Sequence, residues 1–350
     1  MWYNPKNNEV IIMMYLKVPL GYKSDLNLLE TQYWIKQIKD FFQSSLAKNL
    51  NLVRVSAPMF VKRTTGMNDY LTGIEEPVSF ELEEENGINS KVEIVHSLAK
   101  WKRFALKQYN IPKYSGIYTD MNAIRSFEVL DNTHSIYVDQ WDWEKVIDEK
   151  DINEEYLKET VRKIYKSFLE LENFLADNLS SYDRLLPENI FFITSQQLEY
   201  LYPNLSPEER EKAISKEKKA CFVMKIGDTL ESGIKHGDRS PDYDDWSLNG
   251  DILVWNPVLD DVLELSSMGI RVNPEKLQEQ LEKSGYPDLS QYDYHKKLIN
   301  RELPQTIGGG IGQSRICMLF LQKAHIGEVQ SSIWPDEMLV KCQENNIILL

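Results

Sequence analysis

Apolar residues recur along the chain at two spacings, three to four residues apart and two apart, and these spacings divide it into helices and strands. Leu28, Leu29, Ile35, Ile38, Phe41, Phe42 and Leu46 follow the first, with Lys and Asp between them, which predicts an amphipathic helix over 28–50. A second long helix is expected over 152–179, with Leu157, Val161, Ile164, Phe168, Leu171, Phe174 and Leu175 as its buried stripe. Shorter helices are expected over 208–219, after a turn flanked by Pro203 and Pro207, and over 274–284. The stretch 52–58 alternates like a strand and stops at Pro58; 191–193 and 220–224 also read as strands. The acidic stretch 75–93 contains Asn86-Gly87, a hairpin signal, and reads as a solvated hairpin. The apolar run 11–16 is too short to span a membrane and has neither the basic leader nor the cleavage site of a signal peptide. It reads as a strand or as an extension packed on the core. With no internal repeat and no flexible linker, the expected class is α+β: many antiparallel strands with helices outside.

Several strands carry an unusual polar face. In 137–144, Gln140, Asp142 and Glu144 share one side while Trp141 and Trp143 share the other. This suits either an edge strand with a solvated face or a ligand-facing strand anchored by two tryptophans. The segments 251–257 and 262–267 read as two strands joined at Asn256-Pro257, which would bring Asp251 near the end carrying Glu264 and Ser266. Two such carboxylates are either exposed acids or holders of Mg²⁺, an ion bound through one or two carboxylates, water and substrate phosphates. Arg271 adds a bidentate partner for carboxylate or phosphate nearby, and Asp242-Tyr243-Asp244-Asp245 a dense acidic cluster upstream. Residues 96–103 read as a strand running into a basic turn; strict alternation then puts Ser97 and Lys102 on opposite faces unless the strand breaks near Lys100. The stretch 116–125 reads as a strand ending in Arg125.

Gly308, Gly309, Gly310 and Gly312 occupy four of five positions, just before Arg315 and the apolar run 316–321. Glycine within regular structure costs roughly 0.5–1 kcal/mol relative to alanine, so the cluster suggests either a turn at a helix start or backbone that a flat ligand approaches closely. The spacing fits neither a phosphate-cradling P-loop nor the dinucleotide fingerprint. Two arginines, Arg125 and Arg315, would suit the phosphates of a nucleotide.

Composition narrows the reading. The 350 residues carry a formal net charge of −14, which argues against a protein that mainly grips nucleic acid. The three cysteines, Cys221, Cys317 and Cys342, are far apart with no metal-type spacing, and read as reduced thiols of a cytoplasmic protein.

Taken together, residues 96–103, 137–144, 242–257, 264–271 and 304–315 resemble the aspartate–ammonia ligases, the ammonia-dependent A-type asparagine synthetases, over roughly 28–335. The resemblance implies an antiparallel sheet flanked by helices, as in class II aminoacyl-tRNA synthetases. It divides the chain into an N-terminal extension, 1–27, and a single catalytic domain, 28–350. Helix 28–50 and the strand ending at Pro58 would form a homodimer interface. L-aspartate, ATP and ammonia would react through a β-aspartyl-adenylate to give L-asparagine, AMP and pyrophosphate, with neither nucleic acid nor membrane as a partner. Arg125 would bind the α-phosphate and Arg315 the adenine and γ-phosphate, with Gly310, Gly312, Asp251 and Glu264 completing the ATP site and the last two holding Mg²⁺. Lys102 and Arg271 would be the cations for aspartate, Lys102 joining Arg125 and Arg315 as catalytic groups. Asp69, Asp142 and Gln140 would face the substrate's ammonium or polar backbone, supported by Ser97, Asp244 and Ser267.

Two departures from the family pattern stand out: the extension 1–27, and a short join at 246–251 where a glycine-containing loop is usual. A tRNA-charging enzyme is disfavoured because no anticodon-binding domain is evident and the chain is acidic. A catalytically silent relative is disfavoured because Arg125, Asp251, Glu264 and Arg315 are all present. A glutamine-fed synthetase would need a cysteine where Trp2 stands.

Overall fold

In the computed structural model, residues 16–71, 75–83, 87, 89–180 and 182–350 are described. Of the run 11–16 only Leu16 falls among them, and Glu84, Glu85 and Asn86 of the acidic hairpin lie outside. The strands are β1 (Leu52–Arg54), β2 (Phe60–Lys62), β3 (Ser79–Glu83), β4 (Asn89–Ile94), β5 (Gly116–Ile124), β6 (Tyr137–Val146), β7 (Phe191–Thr194), β8 (Ala220–Met224), β9 (Asp244–Asn256), β10 (Asp261–Arg271) and β11 (Thr306–Gly312). Eight of them form one sheet in the order β1-β5-β6-β11-β10-β9-β8-β7, and β2-β4-β3 form a small second sheet. Every neighbouring pair in the large sheet is antiparallel except the two outermost, β1 with β5 and β7 with β8, which are parallel.

One face of the large sheet is apolar and covered by helices. Trp141, Trp143, Met268, Ile270, Ile307 and Ile311 point into a core shared with α1 (Leu28–Leu50) and α3 (Glu154–Asn178), whose Phe42 and Phe168 rings stack 5.2 Å apart. Helix α1 begins where sequence chemistry starts it: the Asn27 side chain accepts from the Glu30 N–H, and the Glu30 carboxylate accepts from the Asn27 N–H. It ends at Asn51, whose positive φ of 61° breaks the helical path. Both long helices fall where the apolar spacing put them, although Leu28 and Leu29 are exposed. Residues 16–27 lie against the same core: Leu16 is buried, and the Tyr22 hydroxyl donates to Glu328 at 2.9 Å.

Five readings of the sequence are decided by these elements. Residues 96–103 are not a strand: helix α2 (Ala99–Gln108) starts after Leu98 and lies on the polar face of the sheet. The glycine cluster is not a turn but β11, interior to the sheet between β6 and β10. Helix α4 (Gln313–Phe320) starts directly after it. Strand β6 is not an edge; β5 and β11 flank it. Residues 246–251 form no loop, since β9 runs unbroken from Asp244 to Asn256. The strand expected over 52–58 is shorter, Leu52–Arg54.

Candidate active site

The second face of the sheet is polar, and its register sets the functional side chains in rows. Residues directly opposite each other across a sheet point to the same face. Asp142 on β6 stands opposite Gly310 on β11, Gly310 opposite Ser267 on β10, and Ser267 opposite Asp251 on β9. One row further along, Glu144 stands opposite Gly308 and Gly308 opposite Gly269; in the other direction Gln140 stands opposite Gly312. The glycines are required by what lies over them. A Cβ on Gly308 would overlap Glu144 Oε2, and one on Gly310 would overlap Gln140 Oε1. A Cβ on Gly269 would come to 2.8 Å from Asp244 Oδ1. Substituting any of the three would push a carboxylate or amide out of place.

Beyond this glycine floor lies a cleft. Arg125, Gln140, Glu264, Gly310, Gly312 and Arg315 all line it, together with Asp139 and Ser314. Arg125, at the end of β5, donates to the His96 carbonyl at 3.2 Å. Arg315, in the first turn after β11, donates to the Glu264 carbonyl at 3.0 Å. The structure therefore brings five of the six residues expected at the nucleotide into one cleft. The sixth, Asp251, is absent from its lining; it is 8% exposed and ion-paired with Arg239. Burial raises the Asp251 carboxyl to about 7, Arg239 opposes that shift and the neighbouring Glu264 adds to it.

Next to the cleft the polar face is a layer of buried ion pairs. Glu144, fully buried, accepts from Arg271 Nε at 2.9 Å and Nη2 at 2.8 Å, and from the Thr306 hydroxyl at 2.6 Å. Burial alone would raise the Glu144 carboxyl; Arg271 and Lys102 hold it below the usual range. Arg271 also pairs with Asp244. Lys102 reaches down from α2 to Asp142, with the Trp143 carbonyl at 2.9 Å and the Gly309 carbonyl at 3.2 Å. It is fully buried, beside the cleft rather than in its lining. Ser97 accepts from the Ala99 N–H at 3.1 Å just before α2, where the Leu98 N–H faces Asp142 Oδ2 at 3.4 Å. Helical geometry lets Ser97 and Lys102 serve one region, which a strand would have forbidden. Asp69 sits apart, 1% exposed, beside Lys100 and Asp242 rather than within the Arg271–Glu144 layer.

Sequence reasoning missed several participants. Arg239, the partner of Asp251, lies in a loop with no motif to mark it. Lys100 and Asp242 were visible only as members of a basic and an acidic run; their 2.8 Å pairing, joined by His295 Nε2 at 2.9 Å from the same oxygen, depends on tertiary packing. Among the described residues, no group of three or more His, Cys, Asp or Glu is arranged to hold a metal.

Comparisons with known proteins fit this geometry. The family model described as aspartate–ammonia ligase matches residues 29–346. An aspartate–ammonia ligase of Clostridium tetani is 58% identical over 335 residues, covering 96% of this chain and 98% of the relative. Those of Ruminiclostridium cellulolyticum and Bacillus cytotoxicus are 58% and 56% identical, covering 95% and 94% of this chain and 98% and 99% of the relatives. Coverage of 96% leaves too few residues outside the alignment to omit all of 1–27, so part of the extension is shared. Among solved structures, the aspartyl-tRNA synthetase of Entamoeba histolytica superposes with a TM-score of 0.58 at 15% identity; 86% of this chain spans 58% of that one. The asparaginyl-tRNA synthetase of the same organism, in complex with asparaginyl-adenylate, also gives 0.58 at 14% identity, covering 86% of this chain and 67% of that one. The fold is that of the class II aminoacyl-tRNA synthetases. By its sequence over nearly its whole length, the chain belongs to the aspartate–ammonia ligase family.

Proposed function

We propose that the protein makes L-asparagine from L-aspartate, ATP and ammonia through a β-aspartyl-adenylate, releasing AMP and pyrophosphate. The observation that carries this reading is the placement of Arg125 and Arg315 in one cleft over Gly310 and Gly312, with the Asp142–Lys102 pair in the row of Gly310 and the Glu144–Arg271 pair in the next row. ATP fits the glycine-floored cleft, where a flat base can approach the backbone and two guanidiniums meet the phosphates through paired hydrogen bonds. Aspartate fits the adjoining layer. Arg271 and Lys102 supply positive charge for its carboxylates, while Asp142 and Gln140 face its ammonium; Ser97, Ser267 and Asp244 support that arrangement.

The β-carboxylate attacks the α-phosphorus in line, and Arg125 balances the charge gathering on the phosphoryl oxygens as pyrophosphate leaves. Ammonia then attacks the activated carbonyl and AMP departs. The work is positioning and charge neutralisation, for which buried, pre-paired side chains are suited because they need little reorganisation.

Asp251 and Glu264 are the residues that would hold Mg²⁺. Their mutual repulsion, which contributes to the raised Asp251 carboxyl, is the kind that a cation relieves. Two carboxylates alone make an incomplete shell, which suits an ion completed by ATP phosphates and water. Such an ion would neutralise phosphate charge.

We also place the protein in the cytoplasm, and as a homodimer built on α1 and β1. Leu29, Tyr33 and Val53 on these elements are exposed, and β1 is an outer strand of the sheet. Light scattering on active protein checks the dimer. The activity itself is checked with ATP and aspartate in ammonia-free buffer: ammonium should give asparagine and AMP in equal amounts, and glutamine almost none. Equal yields from the two donors, or ADP in place of AMP, would contradict the reading.

A further inference from the structure

Asp251, the residue expected at the nucleotide that does not line the cleft, holds an arginine instead. Arg239 Nη2 donates to Asp251 Oδ1, and the Arg239 side chain is 15% exposed. Asp251 stands among acids, with the charges of Glu264 and Glu211 both acting on its carboxyl. Burial works against the Arg239 charge, and Asp251, Asp244 and Glu264 together hold the guanidinium more firmly charged than an ordinary arginine. Asp244 already has a cation of its own in Arg271. Glu264 is loosely held: Arg315 comes no nearer than 3.9 Å to its carboxylate and donates to its carbonyl instead.

Arg239 is delivered by the segment 225–243, which joins β8 to β9 and is pinned on both sides of it. Before Arg239, His236 Nε2 lies 2.9 Å from Glu211 Oε1 on the helix Pro207–Lys218. After it, the Ser240 hydroxyl donates to Asp242 at 2.8 Å, and the Ser240 carbonyl accepts from Trp246 Nε1 at 3.3 Å. The side chain is bound less completely than the backbone around it. Its Nε is buried and has no hydrogen-bond partner among the described residues. A buried donor left unpaired carries a cost that a new partner removes. With its backbone fixed and its side chain held at the tip, Arg239 can change partners by side-chain rotation alone.

The placement of Mg²⁺ at Asp251 and Glu264 under the proposed function gives this arrangement a use, and the inference rests on that placement. We propose that Arg239 keeps the cation's place at Asp251 while ATP is absent, and passes from that carboxylate to the phosphates when ATP and the ion arrive together. A guanidinium and a divalent ion on one carboxylate repel each other, so an ion without ATP must compete with Arg239. Arg239 is tethered beside Asp251 and competes at high effective concentration, which keeps the acids from collecting stray cations. A triphosphate changes the balance. Its oxygens complete the ion's shell, and they give the planar fork of the arginine another anion to bind through paired hydrogen bonds. Asp251 exchanges a singly charged partner for a doubly charged one, Arg239 exchanges carboxylate for phosphate, and no buried charge is left alone. Ion binding is thereby coupled to ATP binding.

Mn²⁺ tests this without turnover, because its paramagnetic resonance signal reports the fraction bound to protein. With neither ATP nor aspartate present, Arg239→Met should bind Mn²⁺ at least about tenfold more tightly than the unmodified protein, a difference of about 1.4 kcal/mol. Arg239→Lys keeps a tethered cation and should stay within about threefold of the unmodified protein. Adding Asp251→Asn to Arg239→Met should abolish the gain. The same Arg239→Met change should raise the KM for Mg·ATP in pyrophosphate exchange by about tenfold, because the guanidinium that would meet the phosphates is gone. Tighter ion binding alone and weaker use of ATP are opposite effects, which general damage to the fold would not produce. Where Arg239→Met does not fold, Arg239→Gln, whose amide can still donate to Asp251, carries the same expectations. Mn²⁺ affinity that is unchanged or weaker in the folded variant overturns the proposal, and so does tighter Mn²⁺ binding with an unchanged KM for Mg·ATP. Mn²⁺ binding in the presence of ATP that Asp251→Asn leaves unchanged would instead overturn the placement of the ion itself.

Discussion

Lys102 and Arg271 each hold more than one acid, so removing a single carboxylate changes the charge offered to the substrate without emptying the layer. Asp142→Asn leaves Lys102 with Glu144 at 3.5 Å and its two carbonyls. Hydrogen bonds to charged groups contribute roughly 1.5–3 kcal/mol. Aspartate affinity measured by calorimetry should therefore fall about ten- to a hundredfold, at about 1.4 kcal/mol per factor of ten. ATP affinity should change much less; a collapse of ATP affinity with aspartate binding intact would move this residue to the other half of the site. Arg125→Lys tests the neighbouring assignment. Lysine keeps the charge but loses the planar fork, so adenylate formation should drop by about tenfold or more in pyrophosphate exchange. Full activity in that variant would contradict paired binding of phosphate. At this scale much was legible: alternation alone put Gln140, Asp142 and Glu144 on one face. The partners were not legible, because the Lys102–Asp142 and Arg239–Asp251 pairs depend on how separate elements pack.

The elements show why some patterns mislead. The helix Ala99–Gln108 buries Lys100, Lys102 and Arg103, so its inward face carries charges where a helix usually carries apolar residues, and the sequence loses its helical stripe. The strand Thr306–Gly312 has almost no side chains by which to read a strand, and its glycines reflect the neighbours that cover it. Gly308→Ala is the direct test. The methyl group would strike the Glu144 carboxylate that holds Arg271, and overpacking of this kind costs about 1–3 kcal/mol. Thermal unfolding should shift down and aspartate affinity should fall with it. A variant with unchanged stability and affinity would show that Glu144 can move without consequence. The two long helices and the hairpin of strands Asp244–Asn256 and Asp261–Arg271 were legible, since their apolar spacing and turn chemistry agree with their packing.

Over the whole molecule, the polar layer and the apolar core lie on opposite faces of one sheet, so stability and pH response can be separated from the site. His325, fully buried against Trp334, accepts the Gly327 N–H through Nδ1 at 3.0 Å, and burial pushes its pKa down from 6.5 to about 4. Between those values the unfolded chain binds a proton that the folded one refuses. Stability from this group is complete above about pH 6.5 and is lost as pH falls toward 4, by about 3 kcal/mol. His325→Asn, which can keep the acceptor but cannot take up the proton, should flatten acid unfolding in that window when followed by denaturant titration. An unchanged pH slope would place the acid sensitivity elsewhere.

The central claim is that the β-carboxylate of aspartate becomes bonded to the α-phosphorus of ATP before nitrogen arrives. Aspartate labelled with ¹⁸O in that carboxylate decides it. Attack through the adenylate transfers one labelled oxygen to the phosphate of AMP and keeps the other in the amide carbonyl, and mass spectrometry of the products should show this. AMP without label, or label in pyrophosphate or inorganic phosphate, would contradict the account.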